Sequence, residues 1–143
     1  MSTSILCAID VNQLDADREV LRTAIKLARV DEARLDVITV VPDFGMSVVG
    51  GYFDKGFHDK AMAKARKMLN DFVKSEIGAD ANSGVRHIIA TGKAYEEILH
   101  AAHEAGSDLI VIGSHKPDLR DYLLGPNAAR VVRHSDCSVY VVR

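Results

Sequence analysis

No charge sign dominates this chain. Its 143 residues carry 18 Lys plus Arg against 20 Asp plus Glu, a formal net charge of -2. A sequence-independent grip on nucleic acid needs clustered cations that displace counterions, and docking on anionic lipid needs a polybasic stretch. Neither is here, so neither nucleic acid nor membrane is expected as a partner. Long hydrophobic runs are missing as well. Val37-Ile38 with Val40-Val41, and Leu109 to Ile112, are far too short to cross a bilayer. No cationic stretch precedes the apolar segment from Ile5 to Ile9, so the N-terminus does not read as a secretory signal and a cytoplasmic protein is expected. Cysteine is scarce: Cys7 and Cys137 sit in apolar stretches without CxxC spacing. They read as small buried hydrophobes in a reducing compartment. Catalytic signatures are lacking too. There is no G-x-S-x-G elbow, no metal-ligand cluster and no Walker A loop, since Gly92-Lys93 lacks the preceding glycine and the following Ser/Thr. No catalytic residue and no metal site are assigned.

What is present is globular. Hydrophobic residues make up 48% and charged residues 27%, enough for one cored domain over 1–143. Two periods alternate along it. Ser4 to Ile9, Leu35 to Val41, Val85 to Ala90, Leu109 to Ile112 and Ser138 to Val142 read as strands. The third, broken by Arg86-His87, suits a sheet edge. Between them lie helical stripes: Leu21, Ala24, Ile25 and Ala28 in a helix from Leu14; Ala61, Ala65, Met68, Leu69, Phe72 and Val73, stopped at Gly78; Tyr95, Ile98, Leu99, Ala102 and Ala105, stopped at Gly106; and a last helix from about Pro126 to His134. Alternating strands and helices call for an α/β fold, a mainly parallel open sheet with helices on both faces.

In such a sheet, ligands bind outside the carboxyl ends of the strands, where the winding reverses. Gly113-Ser114-His115-Lys116-Pro117 follows the strongest strand, and Gly125-Pro126-Asn127-Ala128 opens a helix. A glycine after a parallel strand lets backbone approach a ligand, and a helix start offers free N–H groups, so the pair reads either as an anion cradle or as a tight turn and a helix cap. Asp10 ends the first strand, where it either holds a ribose hydroxyl or base amine or caps the helix from Leu14, a task Asn12 also fits. The 42–58 stretch holds Gly45, Gly50, Gly51 and Gly56 with Phe44, Tyr52, Phe53 and Phe57. It reads as a lid or protein-docking loop, or as a loop whose aromatics cover the core. His100 and His103 share a helix face at i, i+3, a spacing that can hold a metal; with Glu96, Glu97 and Glu104 around them they read rather as a solvated surface.

The opening Ile5-Leu6-Cys7-Ala8-Ile9-Asp10, the strand end Thr39-Val40-Val41, and Gly92 through Ile98-Leu99 carry a family resemblance. So do the run Asp108 to His115, the run Tyr122 to His134, and the ending Cys137 to Val142. Together they resemble the universal stress protein family along the whole chain. The resemblance implies a five-stranded Rossmann-like parallel sheet of strand order 3-2-1-4-5, with homodimers formed through the last strand, here Ser138 to Val142. Some members bind ATP through a G-x2-G-x9-G motif followed by Ser or Thr. In those, the strand-1 aspartate, here Asp10, holds the ribose. Ala8 and Val40 line the adenine, and Ile112 and Gly113 match the end of the fourth strand.

This chain departs from that motif twice. Lys116 stands where the second glycine belongs, or one residue is deleted, because Gly125 follows Gly113 by one position fewer than in the family. Pro126 then replaces the Ser or Thr, removing a hydroxyl and an N–H. Asn127 and Ala128 keep their N–H groups, and His115, Lys116 or Arg120 offers a side chain. The expectation is an adenine nucleotide (ATP, ADP or AMP) held at the ends of strands 1, 2 and 4, with the preference shifted toward shorter phosphate tails. Mg enters only together with such a nucleotide, and the chain is at most a weak ATPase. The alternative is a nucleotide-independent dimeric interaction protein that uses the 42–58 loop.

Overall fold

The first strand sets the frame. β1 (Ser4–Ala8) has every residue buried, and its side chains alternate between the two faces of the sheet. Ile5, Cys7 and Ile9 face one hydrophobic cluster, while Leu6 and Ala8 face the other. A strand buried on both faces must be central in a sheet covered by helices on each side. In this computed structural model, which describes residues 3–42, 55–114 and 125–143, β1 lies in the middle of a five-stranded sheet.

The remaining elements, in chain order, are α1 (Leu14–Asp31), β2 (Arg34–Val41), α2 (Lys55–Ile77), α3 (Ala79–Asn82) and β3 (Arg86–Thr91). They are followed by α4 (Ala94–Ala105), β4 (Leu109–Gly113), α5 (Pro126–His134) and β5 (Ser138–Val142). The sheet order is β3-β2-β1-β4-β5, as the family resemblance implied, and every pairing is parallel. Cys7 lies opposite Val37 on β2 and Val111 on β4, so the register aligns the buried stripes across the three central strands.

Each face has its own helices. Val20, Leu21 and Ala24 of α1 join Leu69, Phe72 and Val73 of α2 over the first cluster. Ile98 and Ala102 of α4 join Ala128 and Val131 of α5 over the second. Helices following β1 and β2 cover one face and helices following β3 and β4 the other, so the winding reverses between β1 and β4. Local chemistry fixes the helix ends. α1 stops where Glu32 turns left-handed (φ 50°) and returns its N–H to the last turn; α4 stops at Gly106 (φ 65°), a conformation glycine adopts without a side-chain penalty. Glu76 of α2 accepts from Arg22 (3.0 Å) and pairs with Arg18 (3.3 Å), fastening α1 to α2.

The structure corrects four expectations. α2 begins at Lys55, so 55–58 form its first turn and do not belong to a 42–58 loop; residues 43–54 lie outside the described ones. The short helix α3, absent from the sequence reading, follows the stop at Gly78. It is held by tertiary bonds: Asn82 donates to Asn70 Oδ1 (2.9 Å) and faces His87 Nε2 (2.8 Å). Neither Asp10 nor Asn12 caps α1, whose N-cap is Gln13. Cys7 is fully buried, but Cys137 is only half-buried, its Sγ 3.4 Å from Ser135 Oγ.

Candidate functional site

Where the winding reverses, the carboxyl ends of β1, β2 and β4 border a cleft of about 260 Å³. Ala8, Ile38 and Ile112 form its apolar floor, Val40 and Pro42 one wall, and Ala94 and Ile98 of α4 another. Asp10, Asn12 and Gln13 bring polar groups from the turn after β1, and Asn127 brings one from the start of α5. An apolar lining beside carboxylate and amide groups suits a heteroaromatic ring carrying a polyhydroxylated substituent.

The β1–α1 turn is held by two carboxylates. Asp10 Oδ1 accepts the N–H of Asn12 (2.9 Å), closing an Asx turn that replaces the expected cap. Asp17 Oδ2 accepts the N–H of Asp10 (2.6 Å), and Asp17 is only 5% exposed. Asp10 itself stays exposed and borders the cleft, while Gln13 N–H returns to Asp10 O (2.9 Å). Burial, followed by the nearby Asp17 charge, pushes the Cys7 thiol far above its ordinary value, so Cys7 is an inert core residue beneath the turn.

The opposite wall is the α5 start. Ser114 follows β4, donates its N–H to Val142 O (2.9 Å) and accepts the N–H of Gly125 (3.0 Å). Gly125, the N-cap residue, accepts the N–H of Ala129 (2.9 Å) without any side-chain cap. Pro126 is the first helical residue and has no N–H. Among the orphan donors of this helix end, Gly125's is therefore used and Pro126's is missing. Those of Asn127 and Ala128 remain, at the positive end of the helix dipole.

Of the residues expected at the site, Ala8, Asp10, Val40, Ile112, Gly113 and Asn127 border the one cleft. Gly125 and Pro126 stand at the α5 start beside it, and the Ala128 side chain turns into the core, leaving only its backbone for a ligand. His115, Lys116 and Arg120 lie outside the described residues. Sequence reasoning missed Asn12, Gln13, Asp17, Ala94 and Ile98 as cleft residues. Asp17 reads as an ordinary first-turn acid; only its i+7 spacing from Asp10 offered a hint. Among the described residues the cleft lining has two carboxylates and no cation, and no group of His, Cys, Asp or Glu is placed to hold a metal ion.

A sequence model described as "Universal stress protein family" matches residues 1–143. The chain belongs to the universal stress protein family. Among curated relatives, universal stress protein G of Shigella flexneri is 26% identical over 149 residues, covering 100% of both chains. Universal stress protein YxiE of Bacillus subtilis is 29% identical over 152 residues, again covering 100% of both. Among solved structures, that of the protein MJ0577 superposes with a TM-score of 0.77 at 26% identity, covering 99% of this chain and 96% of the other. MJ0577 is a universal stress protein of Methanocaldococcus jannaschii. A universal stress protein from Archaeoglobus fulgidus in complex with dAMP gives a TM-score of 0.67 at 20% identity, covering 99% and 98%. A universal stress protein in complex with cAMP gives 0.70 at 18% identity, covering 99% and 97%. The two nucleotide complexes share the fold with this family member.

Proposed function

We propose that this chain is a stress-response or signalling module that binds an adenine nucleotide at the carboxyl ends of β1, β2 and β4. The observation that carries the reading is the single cleft bordered by Asp10, Val40, Gly113 and Asn127 at the reversal of winding. In this reading Ala8, Val40 and Ile112 take the adenine, Asp10 accepts from the ribose hydroxyls, and the Asn127 and Ala128 N–H groups meet the first phosphate. The residues fit such a ligand: the floor is apolar, the aspartate is exposed, and two N–H groups lack intrahelical acceptors. Fold-sharing proteins solved with cAMP and dAMP support the ligand class. With Pro126 limiting the donors, mono- and diphosphates bind as well as or better than ATP. In this reading Mg arrives with the nucleotide, and the chain is at most a weak ATPase.

The test is mass spectrometry of freshly purified protein followed by calorimetry against ATP, ADP and AMP. Co-purifying adenine nucleotide, or binding below millimolar, supports the reading. The absence of any adenine nucleotide binding at millimolar concentration refutes it. The same preparation tests the second element of the proposal, a homodimer through β5. Among the described residues that strand pairs only with β4 and leaves Tyr140 47% exposed, and an edge of this kind favours strand pairing with a second copy. Sedimentation of a β5 proline variant, Val141→Pro, as a monomer beside a dimeric wild type is the expected outcome. No described helix is long and apolar enough to cross a membrane. The proposed setting is cytoplasmic.

A further inference from the structure

Asn127 and Arg130 stand three residues apart on α5 and so share one side of the helix, next to the buried stripe of Ala128 and Val131. The Arg130 guanidinium lies 4.9 Å from the ring centroid of Tyr95, in the first turn of α4. Tyr95 follows Ala94 and precedes Ile98 by one turn, and both of those line the cleft. Helical side chains lean toward the N-terminus of their helix. For α5 that end is the one carrying Asn127 beside the cleft, so Arg130 leans toward the ligand end of the molecule.

A guanidinium held over a ring by cation–π attraction keeps its N–H groups for other acceptors, and those groups pair with phosphate oxygens. Among the described residues they have no carboxylate partner here. Arg18 and Arg22 are committed to Glu76, and Arg34 and Arg86 to Asp36, whereas among the described residues no carboxylate pairs with Arg130. The cleft lining, with Asp10 and Asp17 and no described cation, leaves a phosphate in need of a positive partner from the rim.

We infer that Arg130, parked on Tyr95, is the cationic phosphate contact of this site and makes it select phosphorylated ligands over nucleosides. The inference deepens the nucleotide reading above and rests on it. Tyr95 acts as a positioning residue, holding the guanidinium at the rim before the ligand arrives.

Calorimetric titration of the full chain with adenosine, AMP and ADP tests this, with thermal melts confirming that each variant folds. Arg130→Ala is expected to lose about tenfold or more in affinity for AMP and ADP and nothing for adenosine. Arg130→Lys recovers part of the loss, because the charge stays while the fork goes. Tyr95→Phe keeps nucleotide affinity, and Tyr95→Leu weakens AMP several-fold while sparing adenosine. An AMP-to-adenosine preference unchanged in Arg130→Ala overturns the inference and leaves the nucleotide reading standing. An equal loss for both ligands assigns Arg130 a structural role and overturns it too. A wild type that binds neither adenosine nor its phosphates overturns the nucleotide reading and this inference with it.

Discussion

Pro126→Ser tests the anion cradle directly. At the α5 start, the Gly125 N–H is spent on Ser114 O and the first intrahelical bond comes from Ala129, so two donors, on Asn127 and Ala128, face outward. Serine restores an N–H at the first helical position and adds a hydroxyl. A hydrogen bond to a charged group contributes roughly 1.5–3 kcal/mol. At 1.4 kcal/mol per tenfold, one new bond to a phosphate tightens binding by about tenfold to a hundredfold. The change also frees the unfolded chain, lowering stability by roughly 0.4–1 kcal/mol, a cost that melts read separately from affinity. Calorimetry with ADP and with adenosine at fixed ionic strength is the assay. Pro126→Ala returns the N–H without the hydroxyl and apportions the gain between them. An ADP affinity within twofold of wild type in a folded Pro126→Ser protein would show that the helix start does not meet the phosphates.

Three further expectations concern the turn after β1, the β3 edge and the two thiols. Asp17→Ala removes the buried acceptor of the Asp10 N–H and should lower stability by about 1–3 kcal/mol in urea melts while weakening nucleotide binding; a neutral result on both would deny Asp17 its role in the turn. The His87 ring, facing Asn82 Oδ1 and so carrying its proton on Nε2, has its pKa lowered by burial and then by Arg66. The unfolded chain therefore binds the proton more readily, and stability should be at its plateau above about pH 6.5 and decline as pH falls through the folded value. Melts from pH 7.5 to 5 should show a shallower decline in His87→Gln than in wild type. A thiol reagent should label Cys137 quickly in the native protein and reach Cys7 only on unfolding; two fast thiols would contradict the burial of β1.

The strands and their faces were legible because burial on both sides writes continuous apolar runs, as in β1 and β4, and because Arg86-His87 marks β3 as an edge. The strand order came from the family resemblance, since alternation alone admits several windings. α3 was not legible. Four residues carry no period, and Asn70 and His87, distant in sequence, hold it in place. The start of α2 was hidden by Gly56 and Phe57, which read as loop although both lie in the first turn of the helix, where His58 Nε2 meets Thr91 Oγ1 at 3.2 Å. Asp36 was equally silent: a carboxylate in mid-strand is fully buried beside Arg34 and Arg86, partners 2 and 50 positions away. At the site, Asp10, Val40, Gly113 and Asn127 could be nominated because strand ends and helix starts are visible as pattern breaks. The α4 wall could not, because Ala94 and Ile98 look like any other core positions until the helix is set against β2 and β4.

The bond from Gly125 N–H to Ser114 O joins the two residues that flank positions 115–124. Anchored in turn to Val142, that joint fixes the start of α5 against β4 whatever number of residues intervenes. The spacing between Gly113 and Gly125 is therefore free to drift without moving the helix end, which explains how a motif one residue short can sit on an intact scaffold. For a protein engineer the joint is a splice point: a reporter or binding segment inserted between residues 115 and 124 should leave β4 and α5 where they are, because the bond that flanks it holds them together.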